Sequence, residues 1–191
     1  VTIVDDFEDG NLNEYGGDTD NFSVQSTTAS NGSNAVEFTG STSAKRITDT
    51  DELPQPSQGD TFSLDIRTTT TVAGEAGLVW AAQAEAGSGT LDAYIVKVNW
   101  AGDKLEIERH DNGSPTDLAT QAVSTSPDTW YEIEVEWSSN GDITARLLES
   151  DGSIVGTTSA NDSTYTSGGV GVSGNRADGA ESSFMDYYRI K

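Results

Sequence analysis

The chain has 191 residues, with 32 acidic against 10 basic side chains, a net charge of −22 and no cysteine. Such a charge repels phosphate backbones and anionic lipid, so nucleic acid and membrane surfaces are poor partners, and without cysteine there is neither a disulfide framework nor thiol chemistry. No apolar run reaches the 18 or so residues of a membrane span, and a chain this long can bury about 70% of its unfolded surface, enough for one domain over 1–191 without staples.

The opening residues, VTIVDDFEDG, lack the basic flank and apolar block of a signal peptide, so an export signal would lie outside this sequence. STSAKRITDTDELPQPSQGD then starts like a strand and runs into a connection punctuated by prolines. TFSLDIRT follows, with Phe62, Leu64 and Ile66 on one face and Ser63, Asp65 and Arg67 on the other. GLVWAAQAEAGSGT begins as a strand, and its alanine-rich end reads as a helical turn or a loop lip. WYEIEVEW turns Tyr131, Ile133, Val135 and Trp137 inward and Glu132, Glu134 and Glu136 outward. DITARLLE, GGVGVSG and SFMDYYRIK continue the alternation, and SNGSN, AGDK, DNGSP, SSNGD and ESDGS supply the turns. Short strands at this spacing without helices predict an all-β sandwich or barrel.

Two explanations compete for the acid excess: a binding surface, or adaptation to molar salt, where the Debye length shrinks to about 3 Å. The acids are spread along the whole chain and only four lysines occur, which favours salt adaptation. Catalytic chemistry finds little purchase. The alternating Glu132, Glu134 and Glu136 could imitate a glycosidase carboxylate pair, but a solvated strand face is the commoner meaning of alternate glutamates. His110, the single histidine, stands in ERHDNGSP beside a turn and reads as an exposed turn residue; with it alone there is no histidine metal cluster and no persuasive Ser/His/Asp set. GSGTLD and SGGVGVSG follow no phosphate-loop spacing.

The order DDFEDGNLNEY, GDTFSLDIRT, GLVW, AYIVKVNW, DTWYEIEVEWSSNGDITARLLESDGSIV and GGVGVSGNRADGAESSFMDYYRIK resembles the concanavalin A-like jelly rolls. That group includes laminin-G-like domains, laminarinase-type glycoside hydrolases and carbohydrate-binding modules. The resemblance covers nearly the whole chain. It implies two stacked antiparallel sheets, one of them concave, with the first and last strands adjacent. In the hydrolases a carboxylate triplet precedes the Trp-Tyr hairpin, whereas EIEVE lies inside it here, which counts against catalysis.

Sugar sites combine flat aromatic faces with a few polar side chains. Trp80, Tyr94 and Trp100 come from two segments the resemblance places in the central sheets, and Arg67, Lys97, Asn99, Arg109 and Arg176 supply donors. The candidate ligand residues are therefore Arg67, Trp80, Tyr94, Lys97, Asn99 and Trp100. Core placement competes with this role at Trp80 and Trp100, and a surface ion pair with Asp65 competes at Arg67. In the last strand Asp186 sits inside an apolar run, where an unpartnered carboxylate is costly. In similar jelly rolls a structural calcium joins the closing strand to the amino-terminal loop, and carried over it would use Asp186, Asp6 or Glu8, and carbonyls near Gly32 or Asn34. The alternative is that Asp186 caps backbone N–H groups or bonds a tyrosine. The expectation is a non-catalytic, extracellular or cell-surface module that binds a polysaccharide or other glycan, a monomeric part of a larger salt-adapted protein. The competing readings are an adhesive domain with no sugar site, and a hydrolase or lyase of the same fold.

Overall fold

A computed structural model describes residues 1–40, 42–176 and 181–191. Fifteen strands form in chain order: β1 (Thr2–Asp5), β2 (Gly16–Gly17), β3 (Phe22–Gln25), β4 (Ala35–Phe38), β5 (Lys45–Asp49), β6 (Thr61–Thr68), β7 (Glu75–Ala82), β8 (Ala93–Asn99), β9 (Lys104–Asp111), β10 (Ser114–Ala122), β11 (Tyr131–Trp137), β12 (Asp142–Leu148), β13 (Ile154–Asn161), β14 (Gly169–Asn175) and β15 (Ser183–Ile190). They make two antiparallel sheets. One runs β13-β12-β11-β6-β15-β4-β3, with β1 also paired to β15; the other runs β10-β9-β8-β7-β14-β5-β2.

The period-2 patterns set the register. Leu64 pairs with Ile133 and Phe62 with Val135, so the apolar faces of β6 and β11 point together into the core. From the seven-stranded sheet, Trp80 and Tyr94 meet them. The Trp80 ring lies 5.5 Å from Phe62, 5.2 Å from Tyr94 and 6.3 Å from Trp137, so four aromatics tie the two sheets together.

β7 is buried along its whole length because both its faces are covered. Its core face carries Ala76, Leu78 and Trp80. Over its outer face the 83–92 segment folds back, packing Ala86 and Leu91 on Val79, Ala93 and Ile95. Two ties fix that segment, the expected loop lip. Ala86 N–H donates to Thr48 Oγ1 at 2.8 Å on one side, and Gly113 N–H to the Leu91 carbonyl at 2.8 Å on the other.

β15 is shared unequally. Its first half, 183–185, pairs with β4 and its last residues with β1, and against β6 on the other edge the register slips between Asp186 and Arg189, where Tyr187 takes φ +50°. At that bulge one edge of the strand has no β-partner. The turn between β3 and β4 fills the opening, and Asp186 is the residue that receives it.

Candidate functional site

The outer face of the seven-stranded sheet is polar across its middle. The hairpin between β8 and β9 pairs Lys97 with Glu106 and Asn99 with Lys104, while β7 sets Gly77 against Lys97 and Glu75 against Asn99. β14 and β5 extend the row, since Ser173 pairs with Gly77 and Arg46 with Ser173. One transverse line therefore reads Arg46, Ser173, Gly77, Lys97 and Glu106. Glycine is required in the centre: a Cβ on Gly77 would stand 2.4 Å from the Val96 carbonyl and 2.6 Å from Lys97 Cβ.

The Lys97 ammonium sits among three carboxylates, 3.0 Å from Glu75, 2.9 Å from Glu108 and 3.6 Å from Glu106. Burial alone would lower its pKa, but the charges of Glu75 and Glu108 outweigh burial and raise it. Glu108 shows the reverse balance: burial pushes its carboxyl up, and the bonds from His110 and Lys97 hold it down to about 2. For Glu106 burial, helped by the charge of Glu108, outweighs Lys97 at longer range and the bond from Asn99, so its pKa is raised. Arg46 closes the row, 4.0 Å from Glu75, with both side chains 7% exposed.

Four polar atoms on this face are buried and have no hydrogen-bond partner among the described residues: Arg46 Nε, Glu75 Oε1, Ser173 Oγ and Asn175 Oδ1. His110 Nδ1 is a fifth. An unmet buried polar atom costs about 1–3 kcal/mol, and native proteins keep such atoms few. Others lie elsewhere, Ser63 Oγ and Glu132 Oε1 on the opposite sheet among them, but the five here are neighbours on one face and offer a donor, a carboxylate oxygen, an amide carbonyl, a hydroxyl that both donates and accepts, and an imidazole nitrogen.

The six candidate ligand residues do not share a face. Lys97 and Asn99 lie in the polar row. Trp80 and Trp100 are 0% and 2% exposed between the sheets, on the core side. The Tyr94 ring is also in the core, but its hydroxyl reaches the sandwich rim, where it donates to Asp162 at 2.6 Å. That bond, added to burial, pushes Tyr94 up to about 12, and Arg109 binds the same carboxylate. Arg67 is on the other sheet's outer face, paired with Asp128 at 2.6 Å and not with Asp65, its neighbour on β6. The parity of VKVN explains the split: Val96 and Val98 face inward, so Lys97 and Asn99 must face outward, away from Tyr94.

His110 is a correction. The sequence suggested an exposed turn residue, yet its side chain is 1% exposed on β9, with Nε2 2.9 Å from Glu108. The signal was present in KLEIERHD, where Glu106, Glu108 and His110 alternate opposite Lys97 once the AGDK turn sets the hairpin register. By contrast, Glu132, Glu134 and Glu136 face outward as expected, and each is ion-paired. Arg146 holds Glu134 and Glu136, and Lys191 holds Glu132 and Glu134.

The junction expected to hold calcium does bring the three segments together. Asp186 Oδ2 accepts the N–H groups of Ser30 at 2.7 Å and Asn31 at 3.0 Å and the Ser30 hydroxyl at 3.0 Å, while Oδ1 accepts the Tyr187 N–H at 2.7 Å. Glu8 Oε1 accepts the N–H groups of Ser33 and Asn34, both at 2.7 Å; a Cβ on Gly32 would stand 2.5 Å from the same oxygen. Asp6 caps the Glu8 N–H at 3.3 Å. Donors, not carbonyls, converge on these carboxylates, so the residues fit a hydrogen-bonded clasp and do not fit a cation, which would face the same N–H dipoles. An acidic group able to hold a metal lies elsewhere, at Asp49, Asp51 and Glu85, whose carboxylate oxygens come within 4.8 Å of one another.

Solved structures share the two-sheet fold. The carbohydrate-binding module CBM66 from Bacillus subtilis superposes with a TM-score of 0.64, at 15% identity, over 90% of this chain and 95% of that one. A legume lectin-like domain from Entamoeba histolytica gives 0.62 at 11% identity over 90% of each chain. The lumenal domain of VIP36, in its Ca²⁺/Man3GlcNAc-bound form, gives 0.62 at 13% over 93% and 88%. The fold is the concanavalin A-like jelly roll. No family model matches the chain. An uncharacterised protein of Methanocaldococcus jannaschii is 37% identical over 77 residues, 40% of this chain and 8% of its own length. Among the described residues no helix is long and apolar enough to cross a membrane.

Proposed function

We propose that this protein is a non-catalytic, extracellular glycan-binding module adapted to high salt, which holds a polysaccharide segment on the outer face of its seven-stranded sheet. The observation that carries the reading is the cluster of unmet buried polar atoms at Arg46, Glu75, Ser173 and Asn175 beside the Lys97 network. Sugar hydroxyls donate and accept at once, and so can complete a donor, two acceptors and a hydroxyl placed side by side. Lys97 and Asn99 edge the same row. The jelly rolls it resembles include sugar-binding modules, which supports the choice of ligand class.

Ser173→Ala and Asn175→Ala test it. Removing an unmet hydroxyl or amide should leave stability unchanged or slightly raised. Binding to the polysaccharide selected on a glycan array in molar salt should fall at least tenfold. Binding that survives both substitutions, or no glycan bound by the parent protein, overturns the proposal and favours the adhesive reading.

One observation favours a second reading, a hydrolase. Glu106 and Glu108 sit two residues apart on one strand face, and their environments push their pKa values in opposite directions, the division expected of an acid and a base. Release of reducing sugar that Glu106→Gln abolishes would establish it.

A further inference from the structure

A second opening lies on the opposite sheet. A cleft of about 750 Å³ is walled by Trp130, Tyr131, Asp65, Glu132, Arg189 and the Glu149–Gly152 turn. Trp130 is half-buried and lines the opening. Tyr131 turns its ring into the core, and its hydroxyl accepts the Ser126 N–H at 2.9 Å, which anchors the loop that leads to Trp130.

The cleft's charges are unequal in availability. Arg189 binds Asp65 at 3.1 Å and Glu132 at 3.0 Å, and its guanidinium lies 4.5 Å from the Tyr187 ring centre. Asp65 also accepts the Ser30 hydroxyl at 2.7 Å. Arg67 at the edge is committed to Asp128. No cation in the lining is therefore left to receive an anionic ligand. Acceptors are left: Glu149 and Asp151 are exposed on the rim, and Asp151 is bound only by its neighbour Ser153.

We propose that this cleft is a second saccharide site, separate from the polar row, which takes an amino-sugar unit with a protonated amine. The pyranose C–H face lies on Trp130, and the ammonium is received by the rim carboxylates and the edge of the indole. A uronate or sulfated unit is rejected, since its charge meets carboxylates and only occupied cations.

The experiment titrates the protein with de-N-acetylated glucosamine tetramer, its N-acetylated counterpart and tetralysine, below neutral pH and in about 1 M salt, where long-range attraction to the acidic surface is screened to ~3 Å. Binding is read by calorimetry and tryptophan fluorescence. The free-amine tetramer should bind at least tenfold more tightly than either of the others. Trp130→Ala should abolish the difference, Trp130→Phe should restore part of it, and Ser173→Ala, on the other face, should leave it unchanged. Should Trp130→Ala fail to fold, Glu149→Gln with Asp151→Asn carries the test, since it removes charge from exposed positions only. Equal binding of tetralysine or of the N-acetylated tetramer overturns the proposal. So does amino-sugar binding lost in Ser173→Ala and retained in Trp130→Ala. A failure of glycan binding at the polar row leaves this test unaffected.

Discussion

The two outer faces of the sandwich carry similar residue types and treat them differently. On the eight-stranded sheet, Glu134 and Glu136 share Arg146, with the arginine side chain 24% and Glu136 48% exposed, so water completes whatever the pairs leave unmet. On the seven-stranded sheet the Lys97, Glu75, Glu106 and Glu108 side chains are all 10% exposed or less. The 83–92 segment seals one end of that face, and the charges must satisfy one another. Exposure, not composition, separates a solvated surface from a site. Where satisfaction is incomplete on the less exposed face, a ligand has something to complete; on the open face water reaches most of the charges, with Ser63 Oγ and Glu132 Oε1 as exceptions.

The largest effect that could break this contrast comes from Lys97. Lys97→Met leaves Glu75, Glu106 and Glu108 facing one another with little water, and should destabilise the protein by about 3–5 kcal/mol in urea unfolding. Adding Glu108→Gln should recover part of the loss by removing one of the stranded charges. A cost below about 1 kcal/mol for Lys97→Met would mean that this face is as wet as the other.

Next comes the clasp at the β15 bulge. Asp186→Ala strands the N–H groups of Ser30, Asn31 and Tyr187 beside an apolar strand and should cost about 2–4 kcal/mol. Because donors already fill the carboxylate, a chelator followed by added calcium should leave the parent's thermal midpoint where it was. A midpoint that falls and then recovers would return a cation to this junction.

Asp5, at the end of β1, gives a pH-dependent effect of intermediate size. Burial raises its carboxyl to about 7, even though it accepts the Phe7 N–H and the Tyr15 hydroxyl, both at 2.8 Å. A carboxyl whose folded pKa lies above its unfolded value near 3.8 adds stability that is complete below that value and is lost as pH rises through about 7. The parent should therefore lose stability on the order of a few kcal/mol between pH 4 and 8 relative to Asp5→Asn. Parallel pH curves for the two proteins would place Asp5 in water.

Much of this was legible before the structure. Period-2 alternation was enough for β6 and β11, because each has one wet face and one dry face, and a pattern that alternates has one solution in a sandwich. It failed where both faces are dry. GLVWAAQ reads as a plain apolar run because the 83–92 segment covers the far side, and no local signal says what will fold over it. The candidate list mixed residues of opposite parity on one strand, Tyr94 with Lys97, since it was assembled by residue type. Hairpin register would have separated them and would have placed Glu106, Glu108 and His110 beside Lys97. Asp186 was recognised as misplaced in an apolar strand, with backbone N–H groups as the alternative to calcium; what the sequence hides is the register slip of β15 against β6 and the gap between β4 and β1 that lets the Ser30–Asn31 turn reach it. Trp130 was passed over because the cleft beside it is made by the 149–152 turn, far away in sequence.

The smallest effect sharpens the comparison most cleanly. Arg146→Ala on the open face removes partners from Glu134 and Glu136, yet water can solvate both, so the cost should stay below about 1 kcal/mol in dilute buffer. With a net charge of −22, added salt relieves repulsion across the whole surface, and parent stability should rise toward molar NaCl or KCl. The two faces should then diverge. Screening acts on charges that ions can approach, so the Arg146→Ala cost should shrink to nothing in ~1 M salt, while the Lys97→Met cost should largely persist because its partners are 10% exposed or less and are screened much less. Unfolding curves of both variants and the parent at low and molar salt give the result in one series. If the Lys97→Met cost faded with salt as the Arg146→Ala cost does, ions would be reaching Lys97, and the unmet atoms at Arg46, Glu75, Ser173 and Asn175 would already have water for a partner.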